Sequence, residues 1–131
     1  MSGPGLKLAE VFAVLKPNLL VDTVRVTPKI YEELDSKFDK LKNHVLIAEY
    51  GFCESWPTRE RHPAGDEIVV LLSGQAEMVM RKNGDDECIP LTESGSYVVV
   101  PAGTWHTART SVAARMLFVT PGEGTENRGE V

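Results

Sequence analysis

From His44 onward the chain alternates apolar and polar positions in short units separated by turns. In "HVLIAEYGF", residues 44–52, Leu46, Ala48, Tyr50 and Phe52 share one face of a strand. Val45 and Ile47 take the other, so both sides of this strand are expected to be partly buried. "EIVVLLS", 67–73, is a continuous apolar strand ending at Gly74, and "SYVVVP", 96–101, is another, stopped by Pro101. Between them "QAEMVMRKNGDDECIPL" reads as a hairpin, because Asn83-Gly84 suits the two central positions of a type I′ turn. "ARMLFVTP", 114–121, is the last clear strand. One segment has helical spacing instead: in "TPKIYEELDSKFDKL", 27–41, Ile30, Leu34, Phe38 and Leu41 form a stripe. Thr27 can cap that helix and Pro28 suits its first position.

Eleven glycines and eight prolines punctuate these runs, the pattern of an all-β sandwich or barrel. At 131 residues the chain is expected to form one domain. Residues 1–43 read as a lead-in carrying the short helix, packed on the outside, and 44–120 as the β-barrel. Residues 121–131 read as a polar, glycine-rich tail, mobile or lying over a neighbouring subunit.

A net charge of -5 without a basic cluster argues against nucleic acid and against an anionic membrane surface as partners. No apolar stretch is long enough to span a bilayer. The first residues lack the charged and apolar regions of a signal peptide, so a reducing, cytoplasmic setting is expected. Cys53 and Cys88 are far apart and in no CxxC pair, and read as ordinary thiols.

The candidate chemistry starts at "RERHPAGDEIVVLLSG", 59–74. Glu60 and His62 are two apart and leave one face of a strand together. Glu67 has the wrong parity for that face, but Pro63 and Gly65 supply a turn that can aim it back beside His62. Val69 and Leu71 would then line the interior beneath Glu67. Downstream, "VPAGTWH" repeats Pro-Ala-Gly and places His106 three residues past Gly103. Two such turns, each followed by a metal-competent side chain, suggest convergence on one point. Imidazole nitrogen with carboxylate oxygen suits Fe(II), Mn, Ni, Zn or Cu(II).

"GSYVVVPAGTWH" fits G(X)5PXG(X)2H at Gly95, Pro101, Gly103 and His106, and resembles the second motif of the cupin superfamily. The stretch from Glu60 to Gly74 resembles the first, HXH(X)3-4E(X)6G, at His62, Glu67 and Gly74. The resemblance implies a single antiparallel β-barrel of the cupin, jelly-roll type, often a homodimer. It also implies an internal divalent transition metal (Fe, Mn, Ni or Zn) held by His62, Glu67 and His106. Two positions depart from the motifs: Glu60 stands where the first has a histidine, and Thr110 where the second often ends in asparagine. Glu60 can be a fourth metal ligand, or can pair with Arg59, Arg61 or another base and leave a three-ligand site. A further carboxylate would harden the site towards Mn or Fe.

Tyr50, Trp56, Met78 and Trp105 are candidate pocket residues for a small organic ligand above the metal, with Phe52 and Met80 as further possibilities. The competing reading for Met78 and Met80 is barrel core. Three functions follow: a metal-dependent enzyme of dioxygenase, isomerase or lyase type acting on a small polar molecule, a binding or sensing module without turnover, or a barrel that has lost its metal.

Overall fold

The computed structural model describes residues 5–129. Among the described residues eleven strands form two antiparallel sheets folded on each other as a jelly-roll-like barrel. The first strands are β1 (Val11–Leu15), β2 (Val21–Arg25) and β3 (Val45–Phe52). The chain then crosses to β4 (Thr58–Arg61) and back to β5 (Glu67–Ser73). The hairpin of β6 (Ala76–Lys82) and β7 (Asp85–Leu91) follows, then β8 (Tyr97–Val100) and β9 (His106–Arg109). The last two are β10 (Ala114–Pro121) and β11 (Glu126–Gly129). One sheet runs β2-β1-β3-β10-β5-β8 and the other β11-β4-β9-β6-β7. The turn between β6 and β7 has Asn83 at φ 53° and Gly84 at φ 83°, both left-handed as a type I′ turn requires.

The inner face of the six-stranded sheet serves two cores. Ala48, Phe118, Val69 and Val98 lie side by side across β3, β10, β5 and β8, all buried. On the β5 side this face meets Met78, Met80 and Ala108 of the other sheet. On the β1 side it meets the helix α1 (Ile30–Lys37): Phe12, Val14, Val24 and Leu46 pack with Ile30, Leu34, Phe38 and Leu41. The predicted apolar stripe is thus the buried one. The helix is shorter than its periodicity suggests because Asp39, Lys40 and Leu41 all take left-handed φ and turn the chain out of it. Thr27 also acts earlier than expected, accepting from the Lys29 N–H (3.2 Å) and donating to Glu33 (2.8 Å).

Both chain ends do more than a lead-in and a tail. The N-terminal segment supplies β1 and β2, which lengthen the main sheet. The polar C-terminal stretch pairs in register with β4 as β11, residue 126 opposite 61 through 129 opposite 58. Its side chains are all exposed, so backbone hydrogen bonds and the Arg61–Glu126 ion pair, rather than buried apolar contacts, record the pairing. Residues 1–4 and 130–131 of these two segments lie outside the described residues. Among the described residues no helix is long and apolar enough to cross a membrane, and Cys53 and Cys88 are free, exposed thiols.

Candidate metal centre

The two Pro-Ala-Gly turns carry the chain from one sheet to the other. Residues 62–66 link β4 to β5, and 101–105 link β8 to β9. They are bonded together: the Gly103 N–H donates to the His62 carbonyl (3.0 Å), and the Ala102 N–H to the Asp66 carboxylate (2.9 Å). Gly103 has φ +75°, whereas Gly65 is not left-handed. Gly65 answers a close approach instead, since a Cβ there would sit 2.9 Å from the Pro121 ring.

This frame brings the four sequence candidates together. Ligand atoms of Glu60, His62, Glu67 and His106 all lie within 4.8 Å of one another. His62 Nε2 is 3.4 Å from Glu60 Oε1 and 3.3 Å from Glu67 Oε2. His106 Nε2 is 3.6 Å from Glu60 Oε1 and 3.1 Å from Glu67 Oε1. Neighbouring ligands of an ion bound at about 2.1 Å stand roughly 3 Å apart, so these spacings suit one small divalent cation.

Hydrogen bonds orient each donor. Thr125 Oγ1 gives its proton to the Gly122 carbonyl (2.9 Å) and so accepts from His62 Nδ1 (2.8 Å). His106 Nδ1 donates to the Thr104 carbonyl (3.0 Å). Both rings therefore keep their outward nitrogen protonated and turn Nε2 inward. Thr120 Oγ1 donates to Glu67 Oε2 (2.6 Å), leaving Oε1 for the centre. His62 Nε2, Glu67 Oε1 and His106 Nε2 are buried and make no well-formed hydrogen bond, their polar neighbours being one another and Glu60. Buried polar atoms are normally paired, and three that face only one another at one point are what a bound cation would satisfy. Thr125→Val, which removes the acceptor behind His62, is expected to weaken metal binding 10–100-fold without unfolding the barrel; competition with a chromophoric chelator measures it.

Glu60 is 28% exposed at its side chain, whereas Glu67 is only 2% exposed. Alternation along β4 sends Arg59 and Arg61 to the opposite face, where they bond Asp86 (2.9 Å) and Glu126 (2.9 Å). Thr110 ties the end of β9 to the Gln75 carbonyl (2.7 Å). Electrostatics inside the cluster are strong. Burial pushes both imidazoles down, but hydrogen bonds and charge from Glu60 and Glu67 outweigh it, holding His62 up at about 9 and His106 at about 10. Burial pushes the two carboxyls up, yet hydrogen bonds from His106 and His62 win; Glu67 lies below its ordinary value and Glu60 at about 2.

A cavity of about 780 Å³ opens onto Glu60, His62 and Glu67. It lies between the two cores, walled by Tyr50, Phe52, Trp56 and Phe118 from the barrel and by Tyr31 from the helix. Tyr31 and Tyr50 share a hydrogen bond through their hydroxyls, and burial pushes both phenols above their ordinary value. Tyr50 and Trp56 thus stand where a pocket was expected. Met78 and Trp105 do not. Met78 is fully buried in the barrel core. Trp105 precedes the inward His106 and so faces outward, stacked between Arg61 (4.8 Å) and Arg128 (4.3 Å). Tyr31, Thr120 and Thr125 are additions that hydrophobic pattern and motif do not reveal.

No family model and no curated protein matches the sequence. Solved structures do match. A cupin-2 domain protein from Shewanella frigidimarina aligns over 64% of this chain and 71% of its own, at TM-score 0.48 and 17% identity. A cupin superfamily protein from Desulfitobacterium hafniense aligns over 58% and 65%, at TM-score 0.49 and 26% identity. An oxalate oxidase structure aligns over 62% of this chain, at TM-score 0.53 and 19% identity. The chain has the cupin fold. It spans 44% of the oxalate oxidase chain, and a likeness at this identity speaks for the barrel alone. Within this cupin barrel, the buried His/Glu cluster is a possible metal site.

Proposed function

We propose that this cupin is a metal-dependent enzyme acting on a small polar organic molecule. In this reading Glu60, His62, Glu67 and His106 hold one divalent first-row transition metal. The observation that carries it is the convergence of three buried donor atoms, which face only one another and the Glu60 carboxylate, at the wall of a cavity. Two oxygens beside two nitrogens form a harder donor set than histidines alone, which shifts preference towards iron or manganese. Such an ion supplies Lewis-acid or redox chemistry of the dioxygenase, isomerase or lyase kind. The chain's own residues supply the rest. The threonines hold the ligands in place, and the aromatic wall excludes water and packs a flat or compact substrate. The Tyr31–Tyr50 pair keeps one hydroxyl proton for a substrate oxygen, since only one of the two is used between them. The cavity accommodates a molecule of sugar, amino-acid or small aromatic size.

Metal analysis of untagged protein tests this first. One equivalent of iron or manganese is expected, and Glu60→Ala is expected to lower the affinity. Less than about a tenth of an equivalent, with none taken up on soaking, would overturn the metal reading. A substrate screen with oxygen-uptake and product detection then separates catalysis from sensing. A ligand bound and returned unchanged would assign the barrel to the sensing class.

A further inference from the structure

The C-terminal strand reaches the metal centre with one face and the outside of the barrel with the other. β11 lies at the edge of the five-stranded sheet and pairs only with β4, Glu126 opposite Arg61 and Arg128 opposite Arg59. Carrying this register back one residue sets Thr125 opposite His62, and Asn127 stands opposite Glu60. Alternation therefore turns Thr125 and Asn127 inward, where both line the cavity, and Glu126 and Arg128 outward. Thr125 is the residue that accepts from His62 Nδ1 and so fixes that ring with Nε2 towards the centre.

Apart from its backbone bonds, little holds this strand. None of its side chains is buried, and it follows β10 through Gly122 and Gly124, the latter left-handed at φ +70°. Segments held by few buried contacts open at low cost. The two charged side chains of β11 both lead to Trp105. Glu126 pairs with Arg61, whose guanidinium lies 4.8 Å from the indole centroid. Arg128 faces Arg59, a like charge already engaged by Asp86, and reaches across β4 to the same indole at 4.3 Å. Trp105 is half-buried immediately before β9, and its carbonyl accepts from the Arg81 N–H (2.8 Å).

We propose that β11 is a latch on the metal centre, with Trp105 and Arg128 as its positioning residues. The inference rests on the metal reading above. With the latch closed, the contact between Arg128 and the indole holds Thr125 against His62 and Asn127 beside Glu60. With it open, His62 Nδ1 loses its acceptor, the ring is free to turn or change tautomer, and the Glu60 side of the cavity opens to water. Metal affinity is then lower in the open state. By linkage, a bound ion favours the closed state by the same factor. A tryptophan on the outer face thus acts on an interior ligand through the strand that joins them.

Manganese(II) binding to the full chain, read by chelator competition, tests the proposal together with hydrogen exchange of the β11 amides. Arg128→Ala, at an exposed position on the outer face, is expected to weaken binding about two- to fivefold, the factor an exposed cation–π contact is worth. Trp105→Ala releases both guanidiniums and is expected to weaken it by up to about tenfold, within the limit set by losing the Thr125 contact. In a Thr125→Val background neither substitution is expected to weaken binding further, because the connection to His62 is already cut. An effect of Trp105 on the adjacent His106 would persist in that background. Manganese is expected to slow β11 amide exchange about tenfold in the wild type, and less than about twofold in Thr125→Val. A wild type that takes up no manganese overturns the metal reading and the latch with it. Normal uptake, with Arg128→Ala and Trp105→Ala both binding as tightly as the wild type, overturns the latch alone. So does β11 exchange that is equal with and without manganese, or a Trp105→Ala loss undiminished beside Thr125→Val.

Discussion

Replacing His106 by alanine is expected to reduce bound metal from one equivalent to less than about a tenth under conditions that saturate the wild type. His106 is fully buried, supplies one of two nitrogens, and its Nε2 is 3.1 Å from Glu67. Loss of a partner behind a ligand already costs 10–100-fold in affinity, and loss of the ligand itself must cost more. The metal-free protein is also expected to suffer. Glu67, 2% exposed, would keep one imidazole neighbour instead of two, and breaking a buried ion pair costs about 3–5 kcal/mol. His44→Ala is the control, since it removes the third histidine at the start of β3, outside the cluster. Metal analysis after dialysis, with a thermal melt in chelator, reads both effects. Full metal occupancy in His106→Ala would remove the proposed centre.

Most of the barrel was legible because its strands are short, apolar and bounded by Gly and Pro. Glu60, His62, Glu67 and His106 were legible as candidates because two turns repeat one tripeptide. Whether Glu60 joined them was not. Its neighbours Arg59 and Arg61 were plausible partners until the sheet placed them on the other face, bonded to residues of β7 and β11. Trp105 could have been placed from sequence, since a residue adjacent to an inward histidine on one strand faces outward. The pairing of β11 could not, because backbone hydrogen bonds between exposed residues leave no hydropathy signature. β1 hides for another reason. Phe12 and Val14 do alternate with less buried positions, but they pack on a helix rather than on the opposite sheet. Thr125 lies 63 residues from His62, and nothing local links them.

The second large effect expected is a steep dependence of metal uptake on pH. In the metal-free cluster two protons take the place of the cation. His62 at about 9 and His106 at about 10 are both charged at neutral pH, held so by Glu60 and Glu67. An incoming divalent ion needs their lone pairs, so it displaces both protons. Between pH 6 and 8 the affinity is therefore expected to rise about 100-fold per pH unit, as two-proton linkage requires. Titration calorimetry in buffers of different ionisation enthalpy is expected to count close to two protons released. A count near zero would mean that the imidazoles are already neutral. Stability of the chelated protein follows the same groups. The histidines, raised in the fold, contribute fully below their unfolded value near 6.5 and lose that contribution as pH rises through about 9 and 10. Glu60, lowered to about 2, contributes fully above about 4.5 and loses it as pH falls towards 2. Metal-free protein is thus expected to melt highest between pH 4.5 and 6.5, on the order of the unfolded carboxyl and imidazole values, and progressively lower towards pH 10. With metal bound the imidazoles are neutral ligands throughout, so the loaded protein is expected to show no such decline between pH 7 and 9 (roughly the range in which the free site loses its protons). The two melting profiles, measured side by side with and without chelator, should diverge with rising pH. Parallel profiles would exclude coupling between the cluster's protons and a bound cation.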